Sequence, residues 1–132
     1  SRARGEFTVT LTPQSTDEVT GASTLARLAI DKQFTGDLIG VSKGEMLSAG
    51  TPVKGSAGYV AIERVTGALH GRIGTFVLQH SGTMTRGSPE LTVSVVPDSG
   101  SGELTGLTGT MRIIIEGKRH SYEFDYALGM NV

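Results

Sequence analysis

The chain has 132 residues, no cysteine and a nearly balanced charge, with 12 Lys and Arg against 13 Asp and Glu. A chain of this length forms one domain with its own core; the lack of cysteine excludes disulfide scaffolds and thiol catalysis, and the lack of a basic block argues against nucleic-acid binding. No apolar run approaches the roughly 20 residues that a membrane helix needs, so we expect a single cytoplasmic domain that binds neither membranes nor nucleic acids.

Eight short runs of alternating apolar and polar residues follow one another, separated mainly by glycine, of which the chain has 19. Strands separated in this way are typical of an antiparallel sheet that closes into a barrel or sandwich, and no stretch has helical spacing. The start, with Ser1 instead of Met, is interpreted as a trimmed or engineered segment outside the strands, and Pro13 is expected to end the first strand. The predicted strands are residues 6–12, 25–34, 38–49, 59–66, 75–85, 91–96, 107–116 and 120–128.

The alternation also predicts which side chains face the interior of the barrel. Successive side chains of a strand point to opposite faces, so the apolar set of each run marks its inner face. The predicted interior contains Phe7, Val9, Leu28, Ile30, Phe76, Leu78, Leu91, Val93, Met111, Ile113, Phe124 and Tyr126.

The third and fourth predicted strands are apolar on both faces. Ile39 and Val41 lie opposite Leu38, and Val60 and Ile62 lie opposite the face that carries Ala61. A bulge that shifts the register within a strand would explain this pattern. We favour a subunit interface across the outside of both strands, which predicts a homo-oligomer, most simply a dimer.

The adjacent pair Glu63 and Arg64 lies inside the fourth strand, so one of the two charges must point inwards. An inward Glu63 in an apolar lumen would have a raised pKa and be partly protonated near neutral pH, as a general acid or base requires. An inward Arg64 would instead bind a carboxylate or phosphate. The remaining alternative is an inward charge that is simply paired with a neighbouring strand.

His80 shares the predicted inner face of the fifth strand, where it is either a core residue or a ligand-binding one. A hairpin centred between Ala68 and Leu69 would place His80 diagonal to Glu63, and a longer loop through Gly74 would bring the two residues opposite each other. Buried tyrosine hydroxyls need partners, which core packing or a ligand could supply. The candidate ligand-binding residues are Glu63, Arg64, His80, Tyr59, Tyr122 and Tyr126.

Two further motifs carry weaker signals. His70, His80 and His120 are far apart in sequence and form no metal-binding motif, so neither a metal nor another cofactor is expected. The glycine-rich residues 100–106 resemble a phosphate-binding loop, but no helix follows them, and we interpret them as a turn.

Residues 58–67, 74–84, 42–46 and 96–104 resemble the bacterial domain-of-unknown-function family 3224. The resemblance spans nearly the whole chain. It implies an eight-stranded antiparallel up-and-down β-barrel of the allene oxide cyclase-like class, related in shape to dirigent proteins and more loosely to calycins. It implies no activity, because the family has no assigned catalytic residues.

Three functions are compatible with such a barrel. The first is binding of a small apolar molecule with one polar end. The second is an isomerase or cyclase reaction on such a molecule, with Glu63 or His80 as acid or base and Tyr126 positioning the substrate. The third is a structural or interaction module whose barrel is filled by its own side chains. An eight-stranded barrel can be packed or hollow, so the fold does not decide between them.

Overall fold

The computed structural model describes residues 1–129 and forms one closed barrel of eight antiparallel strands, each paired with its neighbours in sequence. The first and last strands pair with each other and close the sheet, as predicted. No helix of the described residues is long and apolar enough to cross a bilayer. The strands are β1 (Arg2–Asp17), β2 (Thr24–Gly36), β3 (Leu38–Gly50), β4 (Ala57–Leu69), β5 (Arg72–Thr85), β6 (Ser88–Val95), β7 (Leu107–Glu116) and β8 (Arg119–Leu128).

The predicted inner faces agree with the observed burial. Of the twelve predicted interior side chains, eight are buried, and Val9, Leu28 and Ile113 are partly buried. The exception is Leu91, which is 44% exposed because it lies at one end of the barrel. Alternation therefore places these side chains correctly, but it does not show how far each lies from an end.

The first strand is longer than predicted at both ends. The segment interpreted as lying outside the fold pairs with β8, since Arg2 to Phe7 face Asp125 to His120 and thereby close the barrel. Pro13 does not end the strand. A register shift between Pro13 and Ser15 accommodates the proline, and β1 continues to Asp17.

The bulge interpretation of the third and fourth strands is wrong. β3 and β4 pair without a register shift along their whole length. Their outward apolar side chains are therefore in contact with solvent, between 47% and 64% exposed. We call these residues the outer apolar patch: Ile39, Val41, Leu47, Val60 and Ile62.

The two ends of the barrel differ in packing. At the closed end, the glycine-rich residues between β6 and β7 fold under the barrel, where they include a short 3-10 helix, Gly102–Leu104. Leu104 is fully buried there. Gly74 permits this contact, because a Cβ at that position would lie 2.1 Å from the carbonyl oxygen of Ser101. The closed end is therefore filled by the protein's own side chains.

At the open end, apolar side chains on the inward face remain accessible. Leu11, Met84, Leu91 and Ile115 are 43%, 42%, 44% and 62% exposed, respectively. Their exposure contrasts with the near-complete burial of the inward residues at the closed end. The barrel is therefore packed in one half and accessible in the other.

Candidate functional site

Glu63 and His80 project into the barrel from neighbouring strands. The turn between β4 and β5 is centred between His70 and Gly71, both with positive φ (46° and 79°), and not between Ala68 and Leu69 as predicted. In the resulting register Glu63 lies opposite Leu78, and His80 is one inward position further along β5. The two side chains are thus diagonal neighbours, close enough to touch.

Four polar side chains meet inside the barrel, and we call Lys32, Ser42, Glu63 and His80 the polar cluster. Oε2 of Glu63 lies 2.8 Å from Nζ of Lys32 and 2.5 Å from Nε2 of His80. The Ser42 hydroxyl donates to Oε1 of Glu63 at 2.7 Å. All four residues are buried, and Glu63 is completely so. The carboxylate therefore has three partners, one each from β2, β3 and β5.

These partners decide the charge of Glu63. Burial alone raises its pKa, but the hydrogen bond with His80 and the charge and hydrogen bond of Lys32 outweigh it and lower the pKa to about 2. The prediction that Glu63 is partly protonated near neutral pH is therefore wrong. Desolvation by itself would favour the protonated acid; the hydrogen bond with His80 and the ammonium group of Lys32 keep the carboxylate ionised.

Aromatic rings provide the remaining environment of the Lys32 ammonium. Nζ lies 4.9 Å from the centroid of the Phe7 ring and 5.9 Å from that of Phe34. The negative face of an aromatic ring attracts a cation at such distances. Lys32 is therefore held between one carboxylate and two rings on the closed-end side of the cluster.

A cavity of about 470 Å³ lies at the open end, and we call it the mouth cavity. It is lined mainly by inward-facing apolar residues, among them Met46, Met84, Leu91 and Ile115. The phenol ring of Tyr59 also lines it. The mouth cavity is thus an apolar space at the accessible half of the barrel.

Tyr59 connects the mouth cavity to the polar cluster. Its ring centroid is 6.5 Å from that of His80. The ring packs on Gly82, where a Cβ would come within 2.5 Å of the Tyr59 ring, so only glycine leaves room for it. Burial, and then the negative charge of Glu63, raise the pKa of the Tyr59 hydroxyl. Tyr59 is therefore neutral and lies between the apolar and the polar part of the lumen.

Two larger depressions lie on the outer wall. They measure about 610 and 570 Å³, and Arg27, Leu47 and Val60 line both. The first also includes the end of β1 and shares Tyr59 with the mouth cavity, and the second also includes His80. They belong to the surface that carries the outer apolar patch. The mouth cavity differs from both because the inward apolar side chains of the open end line it.

Three of the predicted site residues do not belong to this region. Arg64 points outwards and is exposed, so it is not an inward ligand-binding group. The Tyr122 hydroxyl accepts from the backbone N–H of Leu38 at 2.9 Å and donates to a backbone carbonyl near by. The Tyr126 hydroxyl is hydrogen-bonded to Nδ1 of His70. Both phenols therefore have protein partners away from the polar cluster.

Two residues of the polar cluster, Lys32 and Ser42, were not predicted from the sequence. Both are on the inner face of their strands, because Lys32 is in phase with Ile30 and Phe34, and Ser42 is in phase with Leu38. A lysine on the same strand face as the apolar residues on either side of it is the signal that could have identified the partner of Glu63.

The three histidines are not brought together. His70 lies at the turn after β4 beside Asp37, His80 is in the polar cluster, and the His120 ring packs on Phe7. Within residues 1–129, no three His, Cys, Asp or Glu side chains are placed to hold a metal ion. The ammonium of Lys32, 2.8 Å from the Glu63 carboxylate, would also repel a cation there.

Fold and site together define a class of protein: a closed eight-stranded antiparallel barrel, packed at one end, with a buried charged cluster beside an apolar mouth. The family model described as "Protein of unknown function (DUF3224)" matches residues 3–126, and the chain belongs to this family. A crystal structure of a DUF3224 protein of unknown function from Shewanella oneidensis MR-1 is similar, at 54% identity and a TM-score of 0.94, covering 99% of this chain and 98% of that one. No curated protein matches the chain.

Proposed function

We propose that this chain is a small-molecule-binding barrel that takes an apolar ligand with one polar end. The apolar part would lie in the mouth cavity, and the polar end would reach towards the polar cluster. The observation that carries the proposal is the position of a buried charged cluster beside an apolar cavity of about 470 Å³. Binding sites for small molecules combine such an apolar lining with a few convergent polar groups.

The exposure of the open end supports the proposal. Four inward apolar side chains there are at least 42% exposed, although they belong to the same inner surface as the core. Contiguous apolar surface in contact with water is costly and marks binding sites in many proteins. A ligand in the mouth cavity would cover this surface.

An isomerase or cyclase reaction on such a ligand is the second candidate. Its specific support is the pair of Glu63 and His80, because a carboxylate that orients an imidazole is a recurrent arrangement in acid–base catalysis. Tyr59 would position the substrate in place of the expected Tyr126. A barrel filled only by its own side chains fits the closed half but not the exposed inner surface of the open half.

The test is a titration with N-phenyl-1-naphthylamine, a neutral apolar fluorophore. We expect saturable binding to the unmodified protein, and loss of binding in Leu91→Glu, which places a charge in the mouth cavity. Val60→Glu is the matched control, since it places the same charge on the outer wall and should leave binding unchanged.

Binding that survives Leu91→Glu and is lost in Val60→Glu would place the probe on the outer wall and contradict the proposal. Native mass spectrometry of gently purified protein would identify a molecule that co-purifies. Recovery of that molecule chemically changed after incubation would favour the enzymatic candidate.

The cytoplasm remains the expected location.

A further inference from the structure

One ring nitrogen of His80, Nδ1, has no protein partner among residues 1–129. The residue is only 4% exposed, and Nε2 is bound to Glu63. Within the described part of the chain Nδ1 has no hydrogen-bond partner. Every described side-chain nitrogen or oxygen that is fully shielded from solvent does have a partner. Nδ1 is therefore not sealed in the core. His80 projects from the inner face of β5, and its ring lies next to that of Tyr59, which lines the mouth cavity.

The other residues of the polar cluster determine whether Nδ1 donates or accepts a hydrogen bond. The Glu63 carboxylate is ionised and can only accept, so Nε2 of His80 must carry the hydrogen that joins them. One positive charge on Lys32 already balances the one negative charge on Glu63. A neutral imidazole with its hydrogen on Nε2 presents a lone pair at Nδ1.

We propose that the lumen binds amphipathic molecules whose polar end is a neutral hydrogen-bond donor, an alcohol or a phenol, that donates to Nδ1 of His80. This inference rests on the proposed function and names the ligand class for the same site. A carboxylate end has no hydrogen to donate, and it would approach the lone pair of His80 and the charge of Glu63. An ammonium end would be repelled by the ammonium group of Lys32, which already belongs to the cluster.

The Tyr59 ring, between the mouth cavity and His80, favours a flat ligand. Tyr59 lines the mouth cavity and lies within 6.5 Å of the His80 ring, measured between centroids. An aromatic ligand could pack against this phenol while its hydroxyl reaches the imidazole, because offset aromatic pairs are favourable at such separations. Of the two ligand classes, alcohols and phenols, we therefore expect phenols to be favoured.

The experiment compares 2-naphthol with its methyl ether, 2-methoxynaphthalene, and with 2-naphthoate, by calorimetric titration of the full chain at neutral pH. We expect 2-naphthol to bind about tenfold more tightly than the ether, the effect of one hydrogen bond in a shielded site. In His80→Phe the preference should disappear, while Glu63 keeps Lys32 and Ser42. His70→Asn is the control: it replaces a histidine at the closed end with a residue that tolerates positive φ.

The outcomes separate the two proposals. Equal binding of 2-naphthol and the ether, or tightest binding of 2-naphthoate, would overturn this inference and leave the binding function intact. Binding of none of the three would overturn both. If His80→Phe does not fold, the ¹⁵N shifts of His80 in the unmodified protein provide the same test. We expect an Nε2–H tautomer whose Nδ1 resonance moves with 2-naphthol and not with the ether; an unchanged Nδ1 resonance would overturn the inference.

Discussion

Nε2 of His80 lies 2.5 Å from Oε2 of Glu63, although the two residues are offset by one inward position in the β4–β5 hairpin. The offset aims His80 at the carboxylate from the open-end side, while Lys32 and Ser42 bind it from β2 and β3. Glu63 is therefore the residue on which the whole polar cluster depends.

Replacing Glu63 by Gln should destabilise the protein by about 3 kcal/mol or more, because it leaves the buried Lys32 ammonium without a counter-charge. The measurement is the free energy of unfolding in urea at neutral pH. Arg64→Gln is the matched control: the side chain is exposed on the next residue of the strand, and its removal should change stability by no more than about 0.5 kcal/mol. Equal effects of the two substitutions would contradict the role assigned to Glu63.

The stability of the fold should fall in acid through Glu63. Its pKa is lowered from 4.5 to about 2 in the folded protein, so the unfolded chain takes up the proton first as the pH falls. The contribution is fully present above about pH 4.5 and is lost as the pH falls towards 2; the gap corresponds to about 3 kcal/mol. Urea unfolding between pH 7 and 2 should show the difference between unmodified protein and Glu63→Gln shrinking over this range. A difference independent of pH would contradict the prediction.

The two ends of the barrel should respond differently to truncation. Phe76→Ala or Phe124→Ala should cost about 3–5 kcal/mol, because these fully buried rings pack face to face, with centroids 5.8 Å apart, in the closed half. Leu91→Ala, at the mouth, should cost about 1 kcal/mol or less, since the side chain is already 44% exposed. Thermal and urea unfolding of the three variants provide the comparison. A large loss for Leu91→Ala would mean that the open end is packed in solution.

We propose that the outer apolar patch is the interface of a homodimer. Its apolar side chains are about half exposed and lie side by side on β3 and β4, with Leu47 directly opposite Val60. Surface of this kind is commonly covered by a second subunit, and closed symmetric dimers are the most frequent assembly. Sedimentation at micromolar concentration should show a dimer, and the double substitution of Ile39 and Val41 by Lys should yield a folded monomer.

The control for the dimer is Thr8→Lys with Thr10→Lys, which places the same two charges on the outer face of β1 and should leave the dimer intact. Sedimentation of the unmodified protein as a monomer would contradict the proposal, and so would a dimer that persists after the substitutions on β3.

The strands, their order and most of their inner faces could be predicted from the sequence. Alternation with period 2 is a local property, and glycine turns mark where it stops, so the antiparallel barrel and the inward position of Phe76, Leu78 and His80 follow from neighbouring residues alone. The ends of strands were less predictable. Pro13 interrupts the local signal, but the bulge after it and the pairing with β2 extend the strand to Asp17, and the pairing with β8 extends its start to Arg2.

The charge of the site was decided by the tertiary structure. The inward position of one residue of the Glu63–Arg64 pair is implied by the strand, but the ionisation of Glu63 depends on Lys32 and His80, which are 31 and 17 residues away in sequence. The same holds for Tyr122 and Tyr126, whose hydroxyl partners come from distant turns. Periodicity determines the face on which a side chain lies, because that depends on backbone geometry alone. Electrostatics and hydrogen bonding depend on distances between strands, and only the closure of the barrel sets those distances.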